Sequence, residues 1–191
     1  NAYNNLQQRL HTLNNLGLAL QRLDRLDEAE RYLRESLRLY RARHGDEGPQ
    51  VAMAHSRLGD GLRRQGELAE AAELYERALE LLRASGDEDS RAFSLTRAGL
   101  ALVRQDQGEF AVADRLWRQD LEQLRARRGP DHPEVARLLN NLGTNARFLG
   151  EYQRAEELFA EALRIQREKL PAEHLATATT LHNLAILEMS L

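Results

Sequence analysis

Leu13-Asn14-Asn15-Leu16-Gly17 returns unchanged as Leu139-Asn140-Asn141-Leu142-Gly143. The two copies are not adjacent. Leu16 is echoed first by Leu58 and Leu100, then by Leu142, and finally by Leu184, each step being 42 residues. A fixed period of roughly 20–50 residues marks a chain of repeated supersecondary units rather than a fold around one central core.

Each unit reads as two helices. The first, helix A, carries Leu13, Leu16, Gly17 and Leu20, and one period later His55, Leu58, Gly59 and Leu62. Spacings of three and four place these residues on one helical face. The Gly17/Gly59/Ala101/Gly143/Ala185 column is small, so a second backbone can approach there. The second, helix B, repeats Ala29, Ala71, Ala113 and Ala155, and four residues on places Leu33, Tyr75, Trp117 and Phe159. That column of large side chains predicts the knob that fills the space between helices.

The connections agree with this reading. Gly66, Gly108 and Gly150 stand where helix A must end, with Asp24 in the first copy. A residue just past a helix end adopts the left-handed conformation, which glycine enters without strain. Pro49 and Pro133 open the following helix A, where a missing N–H costs nothing. Alternating β-branched runs and Asn-Gly hairpins are absent. The predicted organisation is a single all-α domain over 1–191, with repeats at about 9–50, 51–92, 93–134 and 135–176 and a terminal helix at 177–191. The chain opens on Asn1 and stops mid-pattern, and is read as a fragment of a longer protein.

Composition narrows the function. With 42% apolar and 30% charged residues, the chain has enough apolar surface to fold. A net charge of -3 gives no global pull toward nucleic acid. The absence of cysteine removes disulfides and thiolate zinc sites. No apolar run of about 18 residues and no signal peptide is visible, so no membrane association is expected and a cytoplasmic setting is. His132 and His174 occupy equivalent linkers without a third ligand at metal spacing. The simpler reading of His132 is a helix cap. No phosphate loop, nucleophile elbow or His-Glu-x-x-His motif occurs, and no acid, base and nucleophile assemble. No cofactor and no enzymatic activity are expected.

The helix A and helix B columns resemble the tetratricopeptide repeat over residues 9–191. The usual period of that family is about 34. The longer period, the Leu-Asn-Asn-Leu-Gly segments and Gly129-Pro130-Asp131-His132-Pro133-Glu134-Val135-Ala136 resemble its kinesin-light-chain type. The resemblance implies a right-handed α-solenoid of stacked antiparallel helix pairs, binding peptide segments of partner proteins in a concave groove lined by helix A. Carried onto this sequence, the groove columns hold Asn14, Asn15, Met53, Arg57, Asp60, Arg64, Arg137, Asn140, Asn141, Thr144 and Asn183. Asn is a poor helix former, so its density here calls for a reason. An amide offers donors and an acceptor that can bracket a peptide backbone. The resemblance assigns that role to Asn15, Asn141 and Asn183. The alternative is that these amides bond to a neighbouring helix and only join repeats.

Charge sharpens the expectation. The five helix A windows hold nine Arg and three acids, whereas the remainder holds 18 basic and 27 acidic residues. A basic concave face favours an acidic peptide. The third repeat departs from its own pattern: Arg97 and Arg104 stand in apolar columns, and Asp120 in a small, buried one. A buried carboxylate needs a partner, so Asp120 is expected to pair with Arg97 or Arg104. The leading reading is a protein- or peptide-binding scaffold. Two others stand beside it: a regulatory sensor controlling an attached effector, and a self-assembling structural module.

Overall fold

The computed structural model describes residues 2–171 and 173–190. Among them are nine α-helices and no strand. Tertiary contacts divide the chain into two compact units, Asn1–Gln107 and Gly108–Leu191.

Unit 1 contains α1 (Ala2–Arg22), α2 (Leu26–His44), α3 (Pro49–Gln65), α4 (Leu68–Ala84) and α5 (Arg91–Asp106). Each helix packs on the next in the chain, and α3 also touches α5. Thus α1, α3 and α5 are the helix A members, and α2 and α4 the helix B members. Unit 2 contains α6 (Phe110–Arg128), α7 (Pro133–Phe148), α8 (Tyr152–Lys169) and α9 (Leu175–Glu188). Here α7 and α9 are helix A members and touch each other as well as α8.

The punctuation follows the sequence. Pro49 and Pro133 lie at the first turns of α3 and α7. Gly66 closes α3 in the left-handed conformation, its N–H returning to the last turn. Asp24 holds the equivalent place after α1 and is the one non-glycine described with positive φ, at 60°. His132 caps α7 as expected, its Nδ1 accepting from the Glu134 N–H at 3.2 Å. His174 does the same for α9 at Ala176, at 3.1 Å.

The apolar columns form the cores. Leu58 and Leu142 are each 1% exposed, while Leu16 is 38% exposed. The difference is positional: α2 packs on α3 and α6 on α7, whereas among the described residues α1 packs chiefly on α2. The knobs rest on the small column. A Cβ at Gly17 would come within 2.7 Å of the Leu33 side chain, and one at Gly143 within 2.7 Å of the Phe159 ring. In unit 2, α9 brings Leu184 and Leu187 onto the cluster of Ala146, Ala155 and Phe159.

Arg97 is buried, and both Arg97 and Arg104 set their charged heads against partners. The Arg97 guanidinium lies 5.3 Å from the centre of the Phe93 ring, and Arg83 covers the same ring at 5.4 Å. Arg104 carries its head to Glu76 at 2.5 Å and Gln107 at 3.0 Å. Long stems pack while charged heads reach polar partners. Asp120, in α6, is buried.

His55 of α3 is buried with its Nδ1 unpartnered. Burial, then the nearby Arg41 and Arg77, push its pKa down from the usual 6.5 to about 4, with Asp46 opposing. The unfolded chain therefore binds a proton that the native chain refuses. Stability attached to this residue is intact above pH 6.5 and falls as pH drops toward 4. Between pH 7 and 4.5, urea midpoints should show the parent losing about 2 kcal/mol more than His55→Leu. Equal losses would place a protonated imidazole comfortably in the fold.

Candidate functional site

The open faces of the helix A members carry the candidate residues, and each unit builds its own. In unit 1 the stripe on α3 is Met53, Arg57 and Asp60, spaced four and three apart and so on one face. Leu95 on α5 occupies the column of Met53. The two are exposed by 41% and 53%, unusual for large apolar side chains. Between α3 and α5 the Ser56 and Thr96 hydroxyls meet at 2.9 Å. Asn15 on α1 is exposed.

Asp60 is held from beneath. The Tyr75 hydroxyl, rising from α4, donates to its Oδ1. The Tyr75 ring passes between two glycines: a Cβ at Gly59 would lie 3.2 Å from it, and one at Gly99 only 2.4 Å. Gly99 stands in the column that elsewhere holds Asn15, Arg57, Asn141 and Asn183. Its missing side chain is the space the tyrosine uses. Desolvation by the surrounding protein raises the Asp60 pKa, against the Tyr75 hydrogen bond and the charges of Arg63 and Arg57, which lower it. Burial and the Asp60 charge likewise raise the Tyr75 pKa, so its hydroxyl stays a donor.

In unit 2 the face is made of amides. Asn183 Nδ2 on α9 donates to Asn140 Oδ1 on α7 at 3.1 Å, with Thr144 Oγ1 at 3.4 Å. The Thr144 hydroxyl itself donates to the Asn140 backbone carbonyl at 3.0 Å. That arrangement fixes both amides while using only half of each. The Asn140 NH2 and the Asn183 carbonyl make no other bond among the described residues. Asn141, beside them, is half-buried, and Arg137 stands exposed one turn earlier.

Two candidates lie apart. Asn14 is only 4% exposed. Its column is a seam: the equivalent Ser56 and Asn140 both bond to the next helix A, so this side of the helix faces its neighbour. Arg64 reaches away from Met53 and Asp60 to Asp24 at 3.0 Å and to the Gln21 carbonyl. It lines a cleft of about 790 Å³ at the turn edge, with Arg34 and Glu70 among its walls. Most of that cleft's charges are matched internally, Arg34 bridging Glu30 and Glu70 at 2.7 and 2.8 Å. It therefore offers a partner little.

The same pairing thins the basic face. Arg63 bridges to Asp106 at 2.8 Å, Arg64 to Asp24 and Arg104 to Glu76. Arg57 and Arg137 remain without an ion pair among the described residues. Tyr75 was not among the sequence-derived candidates. The signal for Tyr75 was Gly99 breaking its column. Among the described residues, no three His, Asp or Glu cluster to hold a metal ion, and no helix is long and apolar enough to cross a membrane.

The tetratricopeptide repeat family matches residues 8–84 and 91–168, and the chain belongs to it. Folds of this kind generally serve protein–protein interaction or scaffolding. Among solved structures, the chain is similar to BtubC (BKLC) from P. vanneervenii, with a TM-score of 0.81 at 24% identity over 94% of this chain and 72% of that one. It is also similar to a kinesin light chain-like protein with nearly identical TPR-like repeats from P. anserina, with a TM-score of 0.81 at 21% identity over 95% of this chain and 86% of that one. These likenesses identify the fold, an α-solenoid of helical hairpins related to kinesin light chain repeats. No curated protein matches the chain.

Proposed function

We propose that the chain is a non-catalytic binding module that takes extended segments of partner proteins on the open faces of its helix A members. The observation that carries this reading is the amide row of unit 2. Asn140 and Asn183 fix one another and leave a donor and an acceptor outward, with Asn141 adjacent. A peptide backbone presents the same two groups at every residue, so such a row grips a chain whatever its sequence. Unpaired Arg57 and Arg137 add a preference for acidic side chains in the bound segment.

An array of ten-residue peptides of varied charge tests this. Asn141→Ala should weaken binding across all retained peptides, by about fivefold for the loss of one or two hydrogen bonds. Arg57→Glu should weaken only those with acidic residues, and high salt should mimic it. Binding left unchanged by both substitutions would move the site elsewhere.

A second reading, end-to-end assembly, has one observation behind it. Leu175 and Leu181 on α9 are exposed on a helix with a single charged residue, Glu188. Light scattering across concentration separates the two readings, since a peptide-binding module stays monomeric as concentration rises.

A further inference from the structure

The α3 stripe of unit 1 differs from the amide row of unit 2 in kind. It offers an exposed apolar pair, Met53 and Leu95, then a cation at Arg57, then an anion at Asp60. Arg57 and Asp60 sit one turn apart, roughly 5–6 Å between Cβ atoms, yet make no ion pair with each other or with any other described residue. Asp60 uses Oδ1 to accept from Tyr75 and makes no other bond.

The tyrosine is what makes Asp60 more than a solvated surface charge. Of the four knobs, Leu33, Tyr75, Trp117 and Phe159, Tyr75 alone brings a hydroxyl through to the open face. It gets there because positions 59 and 99 are both glycine, the second against its column. Two departures, the Tyr75 hydroxyl and Gly99, thus join the regular Gly59 in fixing one carboxylate. A carboxylate fixed in a partly enclosed surface has lost some water and has one oxygen without a protein donor. A cationic side chain replaces that water most effectively. Arg57, one turn earlier, does the same for an acid.

We propose that the α3–α5 face of unit 1 selects a partner segment bearing an apolar residue together with a basic and an acidic residue, the base docking on Asp60 and the acid on Arg57. This rests on the groove reading above and refines it: unit 1 favours segments of mixed charge over uniformly acidic ones. Successive same-side residues of an extended peptide lie about 6.6 Å apart, close to the Arg57–Asp60 spacing. An acid and a base two positions apart therefore meet both at once. Asp60 and Arg57 act as specificity-determining residues, and Tyr75 as a positioning residue.

The test is an array of ten-residue peptides sharing one leucine, in which two positions two residues apart carry Glu and Arg, Glu and Gln, Gln and Arg, or Glu and Glu. It is probed with the intact chain and with Asp60→Asn, which keeps the shape and the acceptor for Tyr75. Thermal melts confirm that both are folded. The parent should retain the Glu/Arg peptides best. Asp60→Asn should lose about threefold to tenfold on Arg-containing peptides and nothing on the Glu/Gln set. Tyr75→Phe should give a smaller loss of the same pattern. Equal retention of Arg-containing peptides by parent and Asp60→Asn would overturn the assignment, as would a parent that prefers the Glu/Glu set. No retention of any peptide would remove the groove reading itself, an outcome distinct from retention without charge selectivity.

Discussion

Phe159→Ala is expected to destabilise unit 2 by about 3–5 kcal/mol. Phe159 is fully buried. Its ring fills the space left by Gly143, and its other neighbours are Ala146, Ala155 and Leu187. On α7 the ring faces Gly143 and Ala146, so that helix has no large side chain there to swing into the void. The cavity should persist, which places the cost toward the upper end of the range. Trp117, the single tryptophan, is buried in α6 of the same unit, so its fluorescence reports the transition directly. A loss below about 1 kcal/mol in the urea midpoint would mean that α7 and α8 can close over the gap.

Gly99→Ala is expected to cost unit 1 about 1–3 kcal/mol, although the same change in an open helix is favourable by about 1 kcal/mol. The added methyl would lie 2.4 Å from Tyr75 Cε1 and 2.5 Å from Cζ, inside the ring's own volume. The ring cannot simply turn aside, since Gly59 lines its other flank at 3.2 Å and Asp60 holds its hydroxyl. The signature is therefore in the double mutant. In a Tyr75→Ala background the methyl has room, and Gly99→Ala should become neutral or stabilising. The urea midpoint by circular dichroism gives all four corners of the cycle. A stabilising effect in the parent background would show that the ring does not occupy this space.

The fold was legible because its cause is periodic. The 42-residue offset identified the helix pairs, the small column opposite the knobs, the prolines that open α3 and α7 and the left-handed Asp24. These are local rules repeated several times, so each copy corroborates the others. What stayed hidden was lateral. A column says which way a side chain points on its own helix, not what arrives from 28 to 43 residues away. Asn14 shares a column with Asn140, yet one is buried and the other half open. Arg63, Arg64 and Arg104 counted as groove charge in the sequence, and each is matched by a carboxylate on another element. Arg97 broke the apolar column without breaking the core, because an arginine stem can pack while its head lies over the Phe93 ring. The reach of Tyr75 to Asp60 needed three positions read together, which no periodicity supplies.

The most direct test of the account is to map the amide shifts of the labelled chain on titration with the best-retained array peptide. Gripping by the helix A faces predicts that the perturbed amides gather on α3 and α5 around Met53, Arg57 and Asp60, or on α7 and α9 around Asn140, Asn141 and Asn183, with α2, α4 and α8 silent beyond their ends. Perturbations concentrated on the outward residues of α2, α4 or α8, with those faces unmoved, would contradict it.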